Sequence, residues 1–216
     1  MDHDPRIFLM TSLFLSCKIE NCTLSLRQYL KKVPNAPAPE KMMDLEFRLS
    51  AGLNFEYNVH HGYWPMHGYF LDFQSFLQSL TTSGSESASL SRKSLDKSKI
   101  PDLIKDLLAA HTKATALITS SLLTDACFLY TPSQIGLASL WSKTRDYPDL
   151  HEWMELYISH TFRGERPETV LRLRERMEEF RMMMESFTQT DAVQAKKVDT
   201  KLKQCRNPRY DEESLL

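Results

Sequence analysis

Apolar side chains recur at helical spacing through most of this 216-residue chain. No segment shows the strict alternation of apolar and polar residues that predicts a half-buried strand. Ten prolines and only six glycines accompany this periodicity, and hydrophobic residues make up 42% of the chain. The pattern predicts an all-α protein.

The first predicted helix runs from Pro5 to Lys18 and contains the start of the stretch "TSLFLSCKIEN". Its apolar run stops on two charges, Lys18 and Glu20. A lysine there can lay its stem on apolar surface and hold its ammonium outside, at the carbonyl-rich end of the helix. Lys18 is therefore either a solubilising charge or a cation directed at a partner. The face predicted to be buried holds Ile7, Phe8, Met10, Leu13, Phe14 and Cys17.

The start of one helix is signalled very fully, in "YTPSQIGLASLW". Thr131 can cap it, Pro132 suits its first position, and Gln134 can close a capping box. The aromatic-rich stretch "FEYNVHHGYWPMHGY" reads instead as a turn, with a helix resuming at "YFLDFQSFLQSL". The other predicted helices cover residues 24–31, 40–53, 100–123, 150–161, 167–184 and 191–205.

Residues 81–99 are serine-rich and nearly free of large apolar side chains, which predicts a mobile linker or insertion. The net charge of -1 disfavours a general nucleic-acid or membrane-surface binder. No run approaches the ~20 apolar residues of a membrane span. The acidic N-terminus lacks the basic start of a signal peptide.

The sequence holds no glycine-rich phosphate loop and no G-x-S-x-G or H-E-x-x-H motif. Several polar residues match no familiar metal-site or acid/base spacing. We therefore expect no enzyme, no metal and no cofactor. The residues weighed were Cys22, His60, His61, His67 and Cys127 for a metal, and Glu46, Asp72 and Asp125 for acid/base chemistry.

Two further groups are expected to be core residues. Cys17 and Cys127 lie inside apolar runs, where cysteine is usually a small hydrophobe. The aromatic residues Tyr63, Trp64 and Tyr69 could stack on bases, but in an uncharged setting they are more often core. The scattered cysteines fit a reducing compartment better than a disulfide scaffold.

Two segments together resemble the cyclin family. "LFLSCKIEN" is similar to the end of the third helix of the first cyclin box, where the family has a run of the type L-x-L-A-x-K-x-E. Glu46, in "EFRLSAGLNF", matches the glutamate of the fifth helix. The resemblance implies that Lys18 and Glu46, with Glu20 in the same run, contact a kinase around its αC helix and activation segment.

Within the family the chain resembles the H type. "TDACFLYTPSQIGL", residues 124–137, is nearly the H-type form of the second box, with Gly136 in place of an alanine. "LNFEYNVHHGYWPMHGYFLDF" resembles the link between the boxes, although Gly62 and Trp64 replace the usual proline and arginine. The tail "LKQCRNPRYDEESLL" looks fungal.

This resemblance implies a cyclin fold with an incomplete first box. Residues 1–58 would form that box from its third helix onward, residues 59–188 a complete second box with the serine-rich insertion, and residues 189–216 a C-terminal helix and tail. Because the first two box helices are not in the sequence, we expect an N-terminally truncated form whose first box is held loosely.

The function implied is that of a non-catalytic regulatory subunit of the CDK-activating kinase in TFIIH, acting in RNA polymerase II transcription and cell-cycle control. The expected partners are a cyclin-dependent kinase and an assembly factor of the same complex, in the nucleus, with no direct contact to nucleic acid or membrane. Two alternatives remain open: a cyclin of the C, K or T type, and a TFIIB-like cyclin-fold nucleic-acid binder.

Overall fold

The computed structural model describes residues 4–34, 36–80, 97–188 and 190–205. Within these ranges the chain forms ten α-helices, a 3₁₀ turn at Lys97–Lys99 and no strand, so the all-α prediction is confirmed. The predictions for the tail and most of the serine-rich segment concern residues outside those ranges. The helices are α1 (Pro5–Ile19), α2 (Leu26–Lys32), α3 (Pro39–Gly52), α4 (Tyr63–Ser79), α5 (Ile100–Ser121), α6 (Ala126–Leu129), α7 (Pro132–Thr144), α8 (Pro148–Thr161), α9 (Pro167–Ser186) and α10 (Ala192–Gln204).

The described residues group into two compact units. Unit 1 joins the residues up to Val59 with those from 190 to 205, and unit 2 spans His60–Thr188. No helix in the described ranges is both long enough and apolar enough to span a bilayer.

Unit 1 contains a small hydrophobic cluster to which α1, α2 and α3 each contribute one buried side chain: Phe14, Tyr29 and Met42. The Phe14 and Tyr29 rings lie 5.1 Å apart. The Tyr29 hydroxyl donates a hydrogen bond to the Met10 carbonyl oxygen at 2.8 Å, which ties α2 to α1. Burial raises the pKa of Tyr29, so its hydroxyl stays protonated and keeps donating.

The buried face of α1 differs from the predicted one. Thr11, Phe14 and Leu15 are buried, whereas Phe8 and Leu13 are exposed. Thr11 can enter the core because its hydroxyl donates to the Ile7 carbonyl oxygen one turn earlier, at 2.8 Å. The apolar pattern runs around much of this helix, so periodicity alone could not choose the side that packs.

Helix α10 forms as predicted, with the Asp191 side chain accepting a hydrogen bond from the Gln194 backbone N–H at 2.6 Å. Its contact with α1 is polar, because Asp199 pairs with Arg6 at 3.2 Å. The apolar residue Val198, which the pattern places on a packing face, stays about half exposed at 51%.

Unit 2 is organised around α7, which packs against α4, α5, α8 and α9. The predicted start is confirmed: Thr131 caps the Gln134 N–H, and the Gln134 side chain accepts from the Thr131 N–H at 3.0 Å. A helix that is apolar on all sides is expected to be buried on all sides. In α7 the buried residues are Ile135, Gly136, Leu137, Ala138, Ser139, Leu140, Trp141 and Thr144.

Gly136 permits the closest approach of α7 to α4. A Cβ atom at this position would lie 2.7 Å from the Met66 backbone nitrogen and 2.8 Å from the Gly62 carbonyl oxygen. Gly62 is tight as well, since a Cβ there would lie 2.9 Å from Ile135 Cγ2. The two helices therefore meet backbone to backbone, and Gly136 has a packing role here.

A polar network around Glu155 joins α7, α8 and α9. Trp141 Nε1 donates to its carboxylate at 2.6 Å, and Arg174 forms an ion pair with it. Burial by itself would raise the pKa of Glu155, but these donors outweigh burial and hold the pKa below its usual value. The carboxylate therefore stays charged between the helices at neutral pH.

A second polar link joins α4 to α8. The Tyr157 hydroxyl donates to Asp72 Oδ2 at 2.6 Å, and Tyr157 is almost fully buried. Burial, and then the neighbouring carboxylate, raise the pKa of Tyr157, so it remains a donor. Asp72, weighed as a catalytic carboxylate, thus has a structural partner.

The aromatic stretch of residues 55–69 is predicted to be a turn, but its second half is helical and belongs to α4. Helix α4 already begins at Tyr63, because Pro65 occupies the first turn, where a missing N–H costs no hydrogen bond. Trp64 is 84% exposed instead of buried.

The prediction that Cys127 is a core residue was also wrong. Cys127 lies exposed on the single-turn helix α6.

We expect Gly136→Ala to destabilise unit 2, because its Cβ meets backbone atoms that cannot rotate away. Overpacking of this kind costs about 1–3 kcal/mol. The matched control is Gly68→Ala in α4, where an added Cβ meets nothing within 4 Å and removal of a helical glycine gains about 0.5–1 kcal/mol. Denaturant unfolding measures both, and equal stabilities of the two variants would contradict the packing role of Gly136.

We expect Glu155→Gln to lower the free energy of unfolding by about 1–3 kcal/mol at pH 7, because Arg174 loses its charged partner. The pKa of Glu155 is lowered in the folded state, so its stabilisation is present above the unfolded value of about 4.3 and is lost as pH falls through the folded value.

The stabilities of wild type and Glu155→Gln should therefore converge as the pH falls below the unfolded value and through the lower folded value. Glu165→Gln, at an exposed position after α8, serves as the control and should match wild type at pH 7. A Glu155→Gln deficit that persists at low pH would show that the charge is not the cause.

Candidate functional site

A groove in unit 1 brings two of the three predicted site residues together. It has a volume of about 430 Å³ and is lined by the last turns of α1, the start of α2 and one face of α3. Phe14 and Leu26 contribute apolar floor, and Lys18 and Glu46 contribute charge. The sequence places these two charges 28 residues apart.

Lys18 lies in the last turn of α1, where its ammonium is held by two neighbours. Nζ lies 2.6 Å from Glu46 Oε1 and 4.5 Å above the centroid of the Phe14 ring. The Lys18 side chain is 48% exposed and that of Glu46 only 18%. The ammonium therefore lies over a buried ring and beside Glu46, while the half-exposed side chain keeps donors open to a partner.

Glu20 does not join this pair. It is the residue that ends α1, with its backbone N–H donating to the Ser16 carbonyl oxygen at 2.9 Å. Its side chain is exposed and is not part of the groove lining. Its role in binding stays a prediction from the family motif.

The outer rim of the groove is apolar and aromatic, which the sequence analysis missed. Met43, Phe47 and Phe55 line it with exposures of 59%, 66% and 58%. The Phe47 and Phe55 rings meet edge to face, with centroids 6.4 Å apart. The sequence did contain a signal for this rim. Met43 and Phe47 are one helical turn apart and form a second apolar stripe on α3, beside that of Met42 and Leu45.

The backbone after α3 returns Phe55 to this rim through a left-handed turn. Asn54 and Phe55 have φ values of 52° and 58°. The Phe55 N–H donates to the Ser50 carbonyl oxygen at 2.8 Å, which helps to hold the turn. A bulky residue in this region is rare, and strain of this kind costs about 1–3 kcal/mol and concentrates at functional sites.

The arrangement suits binding rather than reaction chemistry. One cation and one carboxylate stand beside an apolar floor and an exposed aromatic rim, a combination that can bury a partner's side chain and fix its orientation with hydrogen bonds. Two of the carboxylates that the sequence analysis weighed for acid/base chemistry are Glu46 and Asp125. Glu46 is ion-paired with Lys18, and Asp125 precedes α6 without a side-chain capping bond. No cluster of three or more metal-binding side chains occurs in the part of the chain that the structure describes.

Comparison with known proteins gives a family match over most of the chain. The model of the family described as "Cyclin C-terminal domain" matches residues 61–207. Lys18 and Glu46 precede this match, so it does not bear on the groove.

Individual relatives extend the comparison. The chain is 32% identical to "Cyclin CCL1" of Saccharomyces cerevisiae over 65% of its own length and 30% of the relative. It is 29% identical to "Cyclin-H" of Xenopus laevis over 66% of its length and 38% of the relative. A "Probable cyclin-H" of Echinococcus multilocularis aligns with 98% of this chain, at 25% identity over 62% of the relative. The chain thus spans between about a third and two thirds of the length of these relatives.

The fold is also similar to that of a solved structure. A chain in the structure of the CAK complex from Chaetomium thermophilum bound to ATP-γ-S superposes with a TM-score of 0.59. The match has 25% sequence identity and covers 84% of this chain and 48% of that one.

We expect the Lys18–Glu46 pair to contribute little to folding. Exposed ion pairs typically couple by about 0.2–1 kcal/mol. A double-mutant cycle with Lys18→Ala and Glu46→Ala, measured by denaturant unfolding, should fall in this range. The exposed Asp44–Arg48 pair on α3, at 2.9 Å, is the matched control cycle. A coupling of several kcal/mol would mean that the pair holds α1 to α3 and is not available for a partner.

Proposed function

The chain belongs to the cyclin family, and we propose that it is a regulatory subunit that binds and activates a cyclin-dependent kinase through the groove of unit 1. The observation that carries this proposal is the placement of Lys18 and Glu46. They match the family's kinase-contacting lysine and glutamate, and they lie 2.6 Å apart beside an exposed aromatic rim.

The proposed mechanism is a shift of the kinase between two conformations. A subunit that contacts the active arrangement better than the inactive one stabilises the active one by the difference in binding free energy. Lys18 would supply directional hydrogen bonds from its ammonium, and Glu46 would hold that ammonium in position. The apolar rim would supply most of the buried area.

The finer assignment is to the H type. Relatives named cyclin-H and the structural match within a CAK complex support the regulatory subunit of the CDK-activating kinase. We propose that the complex belongs to TFIIH and acts in RNA polymerase II transcription and in cell-cycle control. A nuclear location and a third subunit acting as assembly factor follow from that proposal.

The test is charge reversal in the groove. Lys18→Glu should weaken binding to the cyclin-dependent kinase at least about tenfold, because it places two carboxylates together where the kinase meets a cation. Lys31→Glu, at an exposed position on α2 away from the groove, is the matched control and should bind like wild type. Calorimetry measures the affinity, and circular dichroism verifies that each variant keeps its helix content.

Kinase activity gives the decisive outcome. A Lys18→Ala/Glu46→Ala double variant is expected to bind weakly and activate poorly. Full activation of the kinase by this double variant would overturn the proposal, since neither member of the pair would then be needed.

A further inference from the structure

Two imidazole rings face each other on the surface of unit 2. His67 on α4 and His111 on α5 lie 44 positions apart, a spacing that predicts no motif. His67 Nδ1 and His111 Nε2 are 3.4 Å apart, and the ring planes are inclined by 71°. The structure thus pairs His67 with His111, and not with the other histidines and cysteines that the sequence analysis considered.

Phe70 restricts the movement of both rings. It lies one turn after His67 on α4 and stacks on that ring at a centroid distance of 5.8 Å and an angle of 16°. The His111 ring packs on the same phenyl ring at 4.6 Å. Phe70 is itself buried in the core of unit 2. The two nitrogens are therefore held in place by a fixed support, as a preformed ligand pair requires.

We propose that His67 and His111 form a two-histidine site for a divalent transition metal ion of the zinc, nickel or copper class. Metal–nitrogen bonds of about 2.0–2.1 Å at the tetrahedral angle separate two ligand nitrogens by roughly 3.3 Å. The observed 3.4 Å matches this separation. Imidazole is a favoured ligand of these metals, whereas calcium and magnesium prefer oxygen.

The protonation state also suits a ligand. A metal-binding imidazole must be neutral at the coordinating nitrogen. Burial, and then the neighbouring His67, lower the pKa of His111, so its ring is neutral at pH 7. Before binding, one of the two facing nitrogens carries the proton of the hydrogen bond. On binding, that proton moves to the other nitrogen of its own ring, so the facing nitrogen is free to coordinate.

Water would complete the coordination. No third histidine, cysteine or carboxylate joins a metal-binding cluster within the described ranges. His67 is exposed, so the metal remains open to solvent. Such an ion would bridge α4 and α5 and stabilise folded unit 2, because the unfolded chain does not hold the two nitrogens together.

The test uses the full chain titrated with Ni²⁺ and with Zn²⁺ by calorimetry, together with thermal unfolding. We expect saturable binding of one ion and a rise in the unfolding temperature. His67→Ala, at the exposed position, and His111→Asn should each abolish both effects. The control is the His60→Ala/His61→Ala double variant, whose histidines lie exposed before α4 and should leave both effects unchanged. Mg²⁺ should have no effect.

A spectroscopic readout separates this site from other ligands. Electron paramagnetic resonance of the chain with one equivalent of Cu²⁺ should show two nitrogen ligands in wild type and fewer in His67→Ala. Absence of saturable Ni²⁺ binding to wild type would overturn the proposal. Binding that survives unchanged in both the His67 and the His111 variants would overturn it as well.

Discussion

The burial of α7 is the constraint on which unit 2 depends. Helices α4, α5, α8 and α9 pack against it, with a smaller contact from α6, and nearly every side of it is apolar. Each neighbour is therefore positioned by the side chains of the same helix. Where α4 comes closest, the limiting distance is set by backbone atoms, because Gly136 has no side chain to separate them. Gly136, together with Gly62 on the facing side, thus sets the distance between the two helices. A close-packed interior transmits that distance to the surrounding contacts.

Polar contacts in unit 2 fix the relative orientation of the packed helices. Apolar packing is non-directional and constrains that orientation less. Glu155, on α8, accepts a hydrogen bond from Trp141 of α7 and forms an ion pair with Arg174 of α9. The Tyr157 hydroxyl ties α8 to α4 through Asp72. Glu155 is partly buried and Tyr157 almost fully buried, each with its partner present, which avoids the cost of an unsatisfied polar atom. Such pairs fix the relative orientation of the helices that they join.

Unit 1 combines few buried residues with an exposed binding surface. Its hydrophobic cluster consists of Phe14, Tyr29 and Met42, whereas Met43, Phe47 and Phe55 are exposed at the rim of the groove. A left-handed turn at Asn54 and Phe55 maintains this exposure at a conformational cost. Exposed aromatic side chains around a fixed charge pair are the features of a protein interface with a few dominant contacts. The proposed kinase surface follows from this combination rather than from either charge alone.

Local signals in the sequence predicted much of the fold. Capping residues such as Thr131 with Gln134 define helix starts by short-range hydrogen bonds, and short-range bonds can be recognised without knowing the fold. The position of Lys18 could also be recognised without knowing the fold, because the end of an apolar helix limits where the ammonium can lie. Errors arose where several sides of an element looked apolar, as in α1, or where a short apolar run reached the surface, as at Cys127 and Trp64.

By itself, the sequence determined that the chain is helical and where most helices begin and end, and it predicted Lys18 and Glu46 as kinase contacts. Only the tertiary structure decided which faces pack, that Lys18 meets Glu46 across a groove with an aromatic rim, and that His67 faces His111. The physical reason is the range of the interactions. Caps and periodicity act within one or two turns, whereas pairing between residues 28 or 44 positions apart depends on how the helices pack.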